Sequence, residues 1–119
     1  MPARIVVVHD DPAYVDELAR LLRRDGHDVA TFPDPLAAWD ALEAAKRTEV
    51  LVTRVEFAPG RSNGLALARM ARSKRRQIRV LITALPEHAL DAGELGTFLP
   101  LPVDVAGVAQ VVTSLLETN

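Results

Sequence analysis

The chain has 119 residues, 14 basic and 16 acidic side chains, a net charge of −2 and no cysteine. That length supports one core, burying roughly two thirds of the surface an unfolded chain exposes, without a disulfide or metal to hold it. The composition excludes thiolate nucleophiles and zinc–thiolate sites, offers no global attraction to nucleic acid or anionic lipid, and includes no apolar run near the ~18 residues of a membrane span.

Apolar, β-branched runs alternate with segments of helical period, and the pattern repeats five times. The first strand is read over about Arg4 to His9. The helix after it has Asp11 as N-cap, Pro12 at the first helical position, an inward stripe of Val15, Leu18, Leu21 and Leu22, and Gly26 just past its end. A second strand, about His27 to Phe32, precedes a helix with the same opening: Asp34 as cap, Pro35 next, then Leu36, Trp39 and Leu42 facing inward. The third strand is about Glu49 to Arg54. An irregular loop, Val55 to Asn63, contains Pro59 and Gly60 and leads to a helix over about Gly64 to Ser73. The fourth strand is Ile78 to Thr83, followed by a short, weak helix around Pro86 to Ala92. A fifth strand spans about Thr97 to Leu101, and the last helix about Asp104 to Leu116.

Alternation of this kind predicts a single-domain α/β fold: a doubly wound, parallel five-stranded sheet with right-handed crossovers and helices on both faces. Continuous apolar runs agree, because such strands are covered on both sides. In open sheets a ligand site forms beyond the carboxyl ends of the strands, where strand order reverses. Asp10, Asp11, Arg54, Thr83 and Leu101 should converge there.

At these residues the chain resembles the receiver domain of bacterial two-component response regulators, over essentially its whole length. The resemblance is carried by Val6-Val7-Val8-His9-Asp10-Asp11-Pro12, the leucine-rich first helix ending at Gly26, the loop ending at Asn63-Gly64-Leu65, and Val80-Leu81-Ile82-Thr83-Ala84. It implies a (βα)5, flavodoxin-like sheet of order 2-1-3-4-5 filling residues 1–119, with no room for an output domain. In that family an acidic pair after strand one and an acceptor aspartate ending strand three bind magnesium, a hydroxyl after strand four contacts the phosphoryl group, and a lysine before a proline after strand five pairs with it. A hard cation needs several oxygens, and a dianionic phosphoryl group needs positive charge and donors.

Carried over by position, the pattern half survives. His9 stands on the first acidic position, Asp10 on the second and Asp11 on the acidic position that often follows; Arg54 stands on the acceptor position; Thr83 keeps the hydroxyl, Phe98 the switch aromatic, and Leu101 before Pro102 replaces the lysine. Arginine stays ionised and forks onto carboxylate oxygens. The expectation is that Arg54 takes the place of magnesium and pairs with Asp10 or Asp11. Magnesium binding should then be weak or absent, Asp10 and Asp11 being its only candidate ligands, and no other cofactor is expected.

Other features have plainer readings. Asp11 alone can be a helix cap. Consecutive strand residues face opposite ways, so His9, Asp10 and Asp11 do not form a three-ligand metal set. His27 and His88 read as surface residues, and Glu56 as a solvated loop residue that could alternatively add charge to the pocket. The basic run Arg69, Arg72, Lys74, Arg75, Arg76 and Arg79 lacks interleaved aromatics and reads as a solvated helix end, which makes nucleic acid an unfavoured partner. From Val105 to Leu116 no residue is charged. If Val105, Val108, Ala109, Val112 and Leu116 face the sheet, Val111 and Leu115 are left for a homodimer or partner surface.

The function expected is a stand-alone, cytoplasmic, non-enzymatic signalling module of the phosphorelay family. It would act by phosphorylation-independent contact with a histidine kinase, another signalling protein or a second copy of itself, away from membranes. Two alternatives stay open: a working receiver phosphorylated at a non-standard site, with Asp10 the candidate, and a small flavin- or nucleotide-binding protein on the same sheet. The latter must contend with His9-Asp10-Asp11-Pro12 where a phosphate loop would lie.

Overall fold

In the computed structural model, which describes residues 4–44, 47–57 and 63–117, five parallel strands alternate with helices. In chain order these are β1 (Arg4–Val8), α1 (Pro12–Arg24), β2 (Asp28–Phe32), α2 (Pro35–Ala44), β3 (Val50–Arg54), α3 (Gly64–Lys74), β4 (Arg79–Ala84), a 3-10 turn (Pro86–His88), α4 (Ala89–Leu95), β5 (Thr97–Pro100) and α5 (Val105–Glu117). The sheet order is β2-β1-β3-β4-β5, as the alternation and the resemblance predicted. Pro59 and Gly60 lie outside the described residues.

Strand periodicity divides the core in two. Val6 and Val8, Leu51, and Val80, Ile82 and Ala84 face the layer that holds α2, α3 and α4, where they meet Ala38, Leu42, Leu67, Ala68 and Ala92. Ile5 and Val7, Val50 and Val52, and Leu81 face the other layer, against Leu18, Ala19 and Leu22 of α1 and Val108, Ala109 and Val112 of α5. Successive residues of one strand therefore serve different cores. The register continues across the sheet: Val6 lies beside Leu51 and Leu51 beside Val80.

Short polar side chains start the helices. Asp11 Oδ1 accepts the Ala13 and Tyr14 amides (3.1 and 3.4 Å), Asp34 Oδ1 accepts Ala37 N–H (3.0 Å), Asn63 Oδ1 accepts Ala66 N–H (2.8 Å) and Asp104 Oδ1 accepts Gly107 N–H (2.8 Å). Each satisfies an amide that lacks an intrahelical partner. After α1 the chain turns through Gly26 at φ 92°, a left-handed conformation suited to glycine.

Two sequence readings are corrected. Leu36 is 66% exposed, and α2 is buried through Pro35, Ala38 and Leu42, with Trp39 half-buried. The fourth helix runs beyond Ala92 to Leu95, through Gly93, because the 3-10 turn absorbs its start. On α5, Val111 and Leu115 are half-buried and packed on the core beside Leu21. Helix α1 packs on the same face of the sheet as α5.

Candidate functional site

Because β1 pairs with β2 on one side and β3 on the other, the chain leaves β1 and β3 in different directions and opens a crevice beyond their carboxyl ends. Arg54 is the last residue of β3, and Asp10 lies two residues past β1. Across this crevice Arg54 Nη1 donates to Asp10 Oδ1 at 2.9 Å, joining residues 44 apart in sequence. The side chains are 29% and 37% exposed, so solvent screens the pair, and it contributes about 0.5–1 kcal/mol. Of the two carboxylates considered, Arg54 takes Asp10; Asp11 is used at the start of α1.

His9 is held by three contacts. Its backbone N–H donates to Phe32 O (3.1 Å), its ring stacks on Tyr14 (centroids 4.2 Å apart, planes at 19°), and its Nδ1 accepts the Asp11 N–H at 3.0 Å. Burial, followed by the nearby Arg54 charge, pushes the His9 pKa below its ordinary value. An accepting Nδ1 requires the neutral ring with its proton on Nε2. The 3.7 Å approach of Nδ1 to Asp10 Oδ1 therefore brings two acceptors together and is not an ion pair. Burial also raises the pKa of Tyr14.

Thr83 is 3% exposed and lies beside Arg54 in the β3–β4 register. Leu101 follows β5, with its N–H donating to Ala84 O at 2.9 Å, and the Leu101–Pro102 peptide is cis. Phe98 is half-buried against the α2–α4 layer. The sheet thus brings His9, Asp10, Asp11, Arg54, Thr83 and Leu101 to one edge. Among the described residues no group of three His, Asp or Glu side chains is arranged to hold a metal ion. A cleft of about 190 Å³ adjoins the site between the ends of β1 and β2, lined by His9, Asp10 and Phe32; cofactor pockets are usually ~300–1,000 Å³.

Sequence reading missed two local features. His88, expected to lie on the surface, has a side chain only 20% exposed and brings Nε2 to 3.5 Å from Glu56 Oε1, joining the β3–α3 loop to the turn after β4. Their separation in sequence hid the pair. Gly64 sits so close to β3 that a Cβ would lie 1.8 Å from Arg54 O, a contact no linear pattern reveals.

No family profile matches the chain. It is 31% identical to the receiver domain of the hybrid histidine kinase CckA, covering 95% of this chain and 98% of that domain with a TM-score of 0.76. The chain belongs to the response regulator receiver domains of two-component systems. Likeness in fold alone extends to the beryllofluoride-activated DrrB receiver domain (24% identity, TM-score 0.81, 99% and 100% of the two chains) and to a CheY-like receiver protein of Methanospirillum hungatei (16%, TM-score 0.85, 98% and 95%). A two-component response regulator of Arabidopsis thaliana is 26% identical over 111 residues, 90% of this chain. The chain spans 18% of that regulator's length. No helix among the described residues is long and apolar enough to cross a membrane.

Proposed function

We propose that this receiver domain signals by contact and not by phosphoryl transfer, with Arg54 acting as a built-in substitute for the cation of a phosphorylatable pocket. The observation that carries this reading is the 2.9 Å pair between Arg54 and Asp10. The surrounding residues do not fit magnesium: Asp10 Oδ1 faces a guanidinium, Asp11 Oδ1 caps α1, and the His9 Nδ1 lone pair is taken by an amide. A hard dication needs near-octahedral oxygen ligands, and a fixed positive charge in its place repels it. Leu101 adds no cation to receive a phosphoryl group. The domain is then a non-enzymatic binding module whose partner is a histidine kinase, another signalling protein or a second copy of the chain. A flavin or nucleotide is disfavoured by the small cleft and its acidic lining.

The test is an amide chemical-shift titration with magnesium and then beryllofluoride, on the wild type and on R54D. The wild type should stay unshifted around Asp10, Arg54 and Thr83, and R54D should shift there with magnesium. Wild-type shifts at low millimolar magnesium that grow with beryllofluoride would favour the alternative, a receiver phosphorylated at Asp10. If R54D gains no magnesium affinity, the substitution account fails.

A further inference from the structure

The amino-terminal end of the sheet, opposite the Asp10–Arg54 site, carries an open cleft of about 1030 Å³. Arg72 and Lys74 reach it from the last turn of α3, Arg75 and Arg76 from the turn that follows, Arg47 from the segment before β3 and Arg79 from the start of β4. Against these six cations the described residues of the lining contain one carboxylate, Glu49, which pairs with Arg47 and accepts the Arg4 N–H. The described lining residues are thus net +5 in a chain of net −2.

A helix end explains only part of this concentration. Cations in the last turn offset the partial negative charge of the macrodipole, which accounts for Arg72 and Lys74. It does not account for Arg47, before β3, and Arg79, at the start of β4, which lie at the same end of the sheet. Arg75 Nη2 donates to Leu42 O (2.9 Å) and Arg72 Nη1 to Ile78 O (3.4 Å). Carbonyls anchor these guanidinium forks, so they are held in position before any ligand arrives. Thr48, 6% exposed and bordering the cleft, keeps a buried hydroxyl with no hydrogen-bond partner among the described residues.

We propose that this cleft binds a small polyphosphate anion through its phosphates. Planar guanidinium forks match phosphate oxygens, and the charge excess exceeds what one phosphate would offset. Among the described residues the lining has no aromatic side chain on which a base would stack. A nucleic-acid strand binds along a track with such stacking platforms.

The probe is inorganic tripolyphosphate, followed by amide shifts of the full chain at ~0.1 M salt. Saturable shifts are expected at Thr48, Glu49 and residues 72–79, with a Kd below about 1 mM that weakens as salt is raised. Lys74→Glu combined with Arg76→Glu alters two exposed residues and should weaken binding at least tenfold without changing the melting profile. ATP in place of tripolyphosphate distinguishes a nucleotide from free polyphosphate; comparable affinity supports recognition through phosphates. Absence of saturation, equal binding by the double variant, ATP binding more than about tenfold tighter, or tighter binding of a short single-stranded DNA would overturn the proposal.

Discussion

Two glycine-to-alanine changes should move stability in opposite directions, and the structure supplies both magnitudes. Gly64 opens α3 directly against the end of β3: a Cβ there would lie 1.8 Å from Arg54 O and 2.9 Å from both Arg54 C and Thr53 Oγ1. Real Cβ contacts essentially never fall under 3.0 Å, so helix and strand must separate by about 1.2 Å in a packed region that resists it. The separation also stretches the hydrogen bond from Gly64 N–H to Val55 O, now 2.9 Å. Overpacking of this kind costs about 1–3 kcal/mol, and a weakened hydrogen bond adds up to ~1 kcal/mol. Gly64→Ala should therefore lose about 3 kcal/mol, equivalent to ~12 °C in Tm for a chain of this size. Gly93 is exposed within α4, and its added Cβ would meet nothing within 4 Å. Gly93→Ala should gain about 0.5–1 kcal/mol from reduced freedom of the unfolded chain. Urea and thermal unfolding of the two variants decide the matter. A loss below about 1 kcal/mol in Gly64→Ala, or a comparable loss in both variants, would refute the steric account of how α3 seats on β3.

Asp11→Ala should cost about 1 kcal/mol through loss of the cap on Ala13 and Tyr14, with an unchanged urea m-value. Asp11→Ser should recover most of it, and indifference to both changes would remove the capping role. His9 supplies a pH prediction. Burial lowers its folded pKa below the unfolded value of about 6.5, so just below that pH the unfolded chain binds a proton that the folded chain does not. Stability should consequently rise with pH across the window between the folded and unfolded pKa values, and fall on acidification from about pH 6.5. Imidazole NMR should find His9 titrating below ~6.5; titration at or above that value would contradict its buried, accepting geometry.

The fold was legible because it rests on patterns that extend over many residues. Five apolar strands, the central three buried on both faces, and helices opened by Asp11 and Asp34 leave few topologies besides a parallel sheet. Local chemistry was legible where it acts within a few residues, as in the Asp11 cap and the Gly26 turn. It was less legible where an element is short and mixed. The fourth helix was read as ending near Ala92, yet α4, with Ala92 buried, continues to Leu95. Leu36 looked inward because it is apolar, but the face of α2 is chosen by Ala38 and Leu42, and Leu36 is left outside.

Residue chemistry indicated that a guanidinium near two carboxylates would pair with one of them. Which one depended on competition: Asp11 is used by the backbone at the start of α1, so Asp10 is left for Arg54. The His88–Glu56 contact and the basic cleft likewise depend on loops and strand starts far apart in sequence meeting at one edge. Taken alone, the sequence determined the parallel sheet, its two-faced core and the set of residues at the carboxyl edge, because these follow from periodicity and strand order. Only the tertiary structure decided which charges meet and, among the described residues, which hydroxyl is left without a partner. Those outcomes depend on distances of a few ångströms between elements, and linear spacing does not encode them.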